Sequence, residues 1–219
     1  MKYKAVIFDL DGTLIDSMLV WINVDKEYLT KRNIPVPDDL FKDVEGGNNF
    51  VEIALYFKKK FNLPDSIEEI CSEWTDMVAE HYKKDVKLKP GALELLKYLR
   101  KNNIKIGVGT SNSKYLTEIV LKANKVLDYF DSVIAGCEKI KGKPFPDIFL
   151  AVADELNVKP EEYLVIEDVL VGIEAAENAG MTVYAIYDEH SAHQTEQIKQ
   201  IADFYAEDFA KILEKMRIN

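Results

Sequence analysis

Short apolar runs that stop at acids or hydroxyls alternate with stretches of helical periodicity along most of the chain. The first run, Ala5–Phe8, halts at Asp9-Leu10-Asp11-Gly12-Thr13-Leu14-Ile15-Asp16-Ser17. A β-branched and aromatic run this short, stopped by polar residues and a glycine, predicts a buried strand. Ile104, Ile106 and Val108 alternate around a second strand, Lys105–Gly109, which ends in Thr110-Ser111-Asn112-Ser113. Ser132–Ala135, Tyr163–Ile166, Thr182–Ile186 and Phe204–Ala206 read as further strands, the fourth of the series ending in Glu167-Asp168. Between them the period is helical: a Pro90-Gly91 start carrying Leu93, Leu96 and Leu99, then Lys114–Ala123 capped by Ser113, Ile148–Leu156, Gly172–Ala179 closed by Gly180, and Asp208–Met216.

From about residue 18 to 84 the pattern is helical throughout, with no convincing strand. Val20, Val24, Tyr28 and Leu29, with Trp21 beside them, share a face up to about Arg32, and Pro35 and Pro37 break that helix. A short helix is expected around Asp39–Val44, followed by a Gly46-Gly47-Asn48-Asn49 turn. Phe50, Ile53, Ala54, Phe57 and Phe61 line the next helix, which Pro64 ends. Ser66-Ile67-Glu68-Glu69 is a capping box opening another, through Trp74 and Met77 to about Lys84. The polar stretch 188–200 has weak helical character.

Strands alternating with helices imply an α/β fold, a doubly wound parallel sheet with right-handed crossovers. In such a sheet the carboxyl ends of all strands lie on one edge, where ligands bind. Asp9, Thr110 and Glu167-Asp168 therefore converge whatever the protein's relatives. Alternation points Asp9 and Asp11 the same way, and Gly12 lets the chain turn after them. Two carboxylates at one edge suit a hard cation. The competing reading is a surface turn rich in Asp and Gly, although such a turn need not follow an apolar strand.

Composition narrows the possibilities. The 219 residues carry 47% hydrophobic residues, enough for a sizeable core, and allow one domain with an insertion or two small ones. A net charge of −10, from 28 basic and 38 acidic residues, argues against nucleic acid or an anionic membrane as partner. Cys71 and Cys137 form no CxxC, the N-terminus has no signal-like apolar region, and no stretch is long enough to span a membrane, so a cytoplasmic protein is expected.

Asp9-Leu10-Asp11-Gly12-Thr13-Leu14 resembles the first signature of the haloacid dehalogenase-like hydrolases, most of which are Mg²⁺-dependent phosphatases and phosphomutases. The resemblance extends over nearly the whole chain and implies a Rossmann-like core of residues 1–16 and 86–219 with an α-helical cap domain at 17–85. It makes Asp9 the nucleophile, forming an aspartyl phosphate, and Asp11 the general acid and base. The chemistry is reasonable: a carboxylate can attack phosphorus, provided cations offset the repulsion between anions.

Ile-Gly-Val-Gly before Thr110 resembles the second signature, which assigns Thr110 to a phosphoryl oxygen with Ser111 or Asn112 as further donors. Alone, Thr110 to Ser113 could simply cap a helix. Gly142-Lys143-Pro144-Phe145-Pro146-Asp147 resembles the third, placing the Lys143 ammonium beside the nucleophile and the phosphate; Lys139 and Lys141 lack a proline pair to pin them. Glu167-Asp168 resembles the fourth. Asp168 would bind metal with Asp9 and the Asp11 carbonyl, and Glu167 directly or through water. Val169 stands where relatives often carry Ser.

The other candidates have plainer readings. His81, His190 and His193 match no metal spacing and read as surface residues. Trp21 and Trp74 fit core packing better than ligand stacking, Lys58-Lys59-Lys60 fits a solvated helix face, and Asp16 fits a helix cap as well as a substrate role. Asp11 argues against the dehalogenase branch, which lacks the second acid. The β-phosphoglucomutase-like group resembles the chain more, but its mutase has a His where Trp21 stands and an Arg where Gly46–Asn49 has none. Hydrolysis of a small phosphomonoester by a monomer is therefore expected, with the mutase as alternative. A non-catalytic phospho-accepting receiver would lack both the helical insertion and the second acid.

Overall fold

The computed structural model describes residues 2–37, 40, 50–136 and 141–218. Apart from Leu40, the expected Asp39–Val44 helix lies outside these, as do the Gly46–Asn49 turn, Lys139 and Cys137. Six parallel strands form one sheet in the order β3-β2-β1-β4-β5-β6: β1 Ala5–Phe8, β2 Lys105–Thr110, β3 Ser132–Ala135, β4 Tyr163–Glu167, β5 Thr182–Ile186 and β6 Phe204–Ala206. The chain winds outward from β1 to β3, returns to β4, and continues to β6. The order reverses between β1 and β4, and at such a switch point a crevice opens at the carboxyl ends.

Side-chain alternation explains why both faces are covered. Val6 and Phe8 point into one core with Leu95, Leu99, Leu116, Val120, Phe209 and Ile212. Those residues lie on α4 (Ala92–Lys101), α5 (Lys114–Ala123) and α9 (Phe209–Ile218). Ala5 and Ile7 point into the other with Phe149, Val152, Ile173 and Ile198, on α6 (Asp147–Leu156), α7 (Leu170–Asn178) and α8 (Thr195–Ile201). The sequence-predicted strands recur within a residue or so. Two run one residue further, because the backbone of Thr110 and Glu167 still pairs with Ala135 and Ala185. A polar side chain does not remove a backbone group from the ladder.

Residues 18–84 contribute α1 (Met18–Lys31), α2 (Phe50–Lys60) and α3 (Ile67–Lys84), and no strand among the described residues. The Ser66–Glu69 capping box closes as read: Glu69 N–H donates to Ser66 Oγ and Ser66 N–H to Glu69 Oε2, at 3.1 and 2.7 Å. Trp74 is buried and meets Tyr28, Phe50 and Phe57 edge-on. The two connections to the sheet run side by side. Asp16 N–H donates to Lys87 O and Lys89 N–H to Leu14 O, both at 3.0 Å. None of the described helices is long and apolar enough to cross a membrane.

Candidate active site

Three strand ends and their following loops bring these candidate residues together. Asp9 follows β1, Asp11 and Thr13 lie in the turn beyond it, Thr110 ends β2, and Glu167-Asp168 ends β4. Gly12 has a φ of +81°, and a Cβ there would stand 2.6 Å from Asp168 Oδ2. Glycine is thus required both for the left-handed backbone and for the close approach.

Carboxylate oxygens of Asp9, Glu167 and Asp168 lie within 4.8 Å of one another, and all three residues are buried. Lys143 is buried with them. Its Nζ donates to Asp9 Oδ1 at 2.6 Å and makes a very short contact with Glu167 Oε1. Glu167 Oε2 accepts the N–H groups of Asp168 and Val169, at 2.6 and 3.0 Å. Thr13 Oγ1 donates to Asp168 Oδ1 at 2.6 Å. Of the three carboxylates, Lys143 pairs with two, Asp9 and Glu167.

The electrostatics follow. Burial, only partly offset by Lys143, pushes Asp9 up to about 8, and the charge of Glu167 adds to it. Burial, then Glu167 and Asp9, drive Asp168 well above the ordinary carboxylate range. Burial opposes the charge on Lys143, but Asp9 and Glu167 outweigh it and hold its pKa above that of a free lysine. A buried acidic cluster with excess negative charge, built wholly from oxygen donors, fits a small divalent cation.

Asp11 faces elsewhere. Its Oδ1 accepts from Ser17 Oγ at 2.6 Å, from Trp21 Nε1 at 3.1 Å and, in a very short contact, from the Tyr82 hydroxyl. Its Oδ2 accepts from Asn112 Nδ2 at 2.8 Å. The Asp11 carboxylate therefore stands outside the acidic cluster. Asn112 turns its amide to Asp11 and Tyr82, and its Oδ1 accepts the Ser113 N–H at 2.7 Å. Thr110 Oγ1 accepts the Asn112 N–H at 3.1 Å and keeps its own hydrogen to donate. Thr110, Ser111, Lys141 and Lys143 line a small cleft. Ser113, as read from the sequence, caps α5.

Several expectations change. Trp21 is neither simple core nor a stacking surface: its indole N–H reaches Asp11 and Tyr82. Asp16 is exposed, and Ser17, at the start of α1, gives its hydroxyl to Asp11 rather than to the helix. Sequence reasoning gave no role to Thr13, Tyr82 or Gly172. Thr13 could have been found from its place inside the Asp-rich motif. Tyr82 carried no signal, being one aromatic among many on a helix far along the chain. Gly172 gave none either, although a Cβ there would stand 1.9 Å from Glu167 Oε1.

Comparison with known proteins identifies relatives of the chain. Residues 6–186 match the family described as haloacid dehalogenase-like hydrolase. The chain is 29% identical over 178 residues to a phosphorylated carbohydrates phosphatase of Thermotoga maritima, covering 81% of this chain and 82% of that one. It is 32% identical over 190 residues to a β-phosphoglucomutase of Bacillus subtilis, covering 81% and 80%. The crystal structure of CbbY from Rhodobacter sphaeroides shares the fold, with a TM-score of 0.86, 23% identity and 96% of each chain covered. With the motifs, the sheet order and the matched span in accord, the chain belongs to the haloacid dehalogenase-like hydrolases.

Proposed function

We propose that the protein is a magnesium-dependent phosphatase that hydrolyses a small phosphomonoester, a sugar phosphate or similar metabolite, through an aspartyl phosphate on Asp9. The observation that carries this reading is Lys143 Nζ at 2.6 Å from Asp9 Oδ1 inside a buried acidic cluster. A nucleophile that must meet an anion needs positive charge beside it, and Lys143 supplies a fixed point charge. Named phosphatase relatives add to the support.

In this mechanism Thr110 and Ser111 hold phosphoryl oxygens next to Lys143. Asp9 forms a bond to phosphorus as the bond to the leaving oxygen breaks, and Asp11 gives that oxygen its proton. Asp11 then takes a proton from water, whose oxygen displaces Asp9 and releases inorganic phosphate. Asp9, Asp168 and the Asp11 carbonyl would hold the magnesium ion, which when bound neutralises phosphate charge. Glu167 completes the acidic surround and orients Lys143. We assign residues 1–16 and 86–219 to a catalytic core and 17–85 to a cap that sets substrate choice, in a cytoplasmic monomer.

The mutase reading has support from the Bacillus subtilis relative. Trp21, however, stands where the mutase has a histidine, so hydrolysis is preferred. The test is release of inorganic phosphate from p-nitrophenyl phosphate and a panel of metabolite phosphates with Mg²⁺, using wild type and Asp9→Asn. Turnover that Asp9→Asn abolishes supports the assignment; wild-type rates in that variant overturn it. Conversion of β-glucose 1-phosphate, primed by its bisphosphate and without phosphate release, would favour the mutase.

A further inference from the structure

We infer that Tyr82, together with Trp21, is a positioning residue that fixes which oxygen of Asp11 transfers the proton. The inference rests on the proposed role of Asp11 as acid and base. Tyr82 is on α3, 71 residues from Asp11, and is wholly buried. A tyrosine hydroxyl has one hydrogen to give and two lone pairs. All three are used here. The hydrogen goes to Asp11 Oδ1, and the lone pairs accept from Trp21 Nε1 at 2.8 Å and from Asn112 Nδ2 at 3.1 Å. The Trp21 and Tyr82 rings also meet edge-on, their centroids 6.2 Å apart.

The result is an asymmetric carboxylate. Oδ1 takes Ser17, Tyr82 and a share of the Trp21 N–H, which saturates it. Oδ2 takes Asn112 and retains a lone pair. The geometry assigns proton transfer to Oδ2, with the carboxylate plane locked by donors from two of the inserted helices and from the loop after β2. Removing the phenol hydroxyl frees the carboxylate to rotate, and loss of orientation is costly in catalysis.

A positioning role for the acid is visible in how the rate depends on the leaving group. Phenyl phosphate and p-nitrophenyl phosphate are nearly the same shape. The first expels a poor leaving group that needs a proton; the second expels one that does not. For Tyr82→Phe, kcat/KM should fall about tenfold or more on phenyl phosphate and by less than about threefold on p-nitrophenyl phosphate. Trp21→Phe should show the same bias more weakly. Thermal melting confirms that each variant is folded, and Trp21→Phe carries the test if Tyr82→Phe is not. An equal fall on both esters means a merely structural role and overturns the inference. So does an unchanged rate on both. If the wild-type protein hydrolyses neither these esters nor any metabolite phosphate of the panel, the phosphatase reading itself fails, and the inference with it.

Discussion

The ammonium of Lys143 bridges Asp9 and Glu167, two acids 158 positions apart in the chain whose strands lie side by side in the sheet. The cation faces Asp9 from a loop that neither strand belongs to. Lys143→Met should lower kcat about 100-fold or more, as loss of a charge at a preorganised site does. Lys143→Arg should not restore it, because a buried site shaped around an ammonium lacks space for a planar guanidinium. Steady-state rates with p-nitrophenyl phosphate check both; a Lys143→Arg rate within a few-fold of wild type would count against the geometry.

Gly172 leaves the space that Glu167 occupies. With a methyl carbon due 1.9 Å from Oε1, Gly172→Ala must displace a carboxylate that is wholly buried. Overpacking of this kind costs about 1–3 kcal/mol, and Lys143 loses the fixed position of one partner. Denaturant melts should register the loss of stability, and kcat should fall with it.

Thr13 orients Asp168. Thr13→Val keeps the shape and removes the hydroxyl that donates at 2.6 Å. Groups that orient metal ligands are worth about 10–100-fold in affinity. Mg²⁺ should raise the melting temperature of wild-type protein stripped with chelator, and Thr13→Val should need correspondingly more Mg²⁺ for the same rise. Equal titration curves would remove Thr13 from the proposed metal site.

Asp25, on the buried side of α1, gives a pH dependence independent of the acidic cluster. Burial pushes it up to about 8, against about 3.9 in an unfolded chain. Between those values the folded protein holds a proton that the unfolded chain has released, so stability falls as pH rises through this window. Asp25→Asn is neutral at every pH and should flatten that slope. At pH 8 the variant should melt about 2–4 °C higher or more, from roughly 1 kcal/mol regained. Near pH 4 it should show no gain. Parallel melting curves for the two proteins would contradict the burial argument.

Period and punctuation in the sequence determined the strands, the helices and the parallel sheet, because these features arise from neighbours two to four residues apart. Strand ends carrying Asp9, Thr110 and Glu167-Asp168 had to meet at one edge once the strands were parallel. Periodicity says nothing about which way a side chain turns after it arrives there. Only the tertiary structure turned Asn112 toward Asp11, gave Asp168 to Thr13 and brought Tyr82 and Trp21 onto Asp11. Those contacts depend on how helices pack on a sheet across 10 to 155 positions of chain, and on hydrogen-bond geometry sensitive to tenths of an ångström. Neither leaves a local trace in the order of residues.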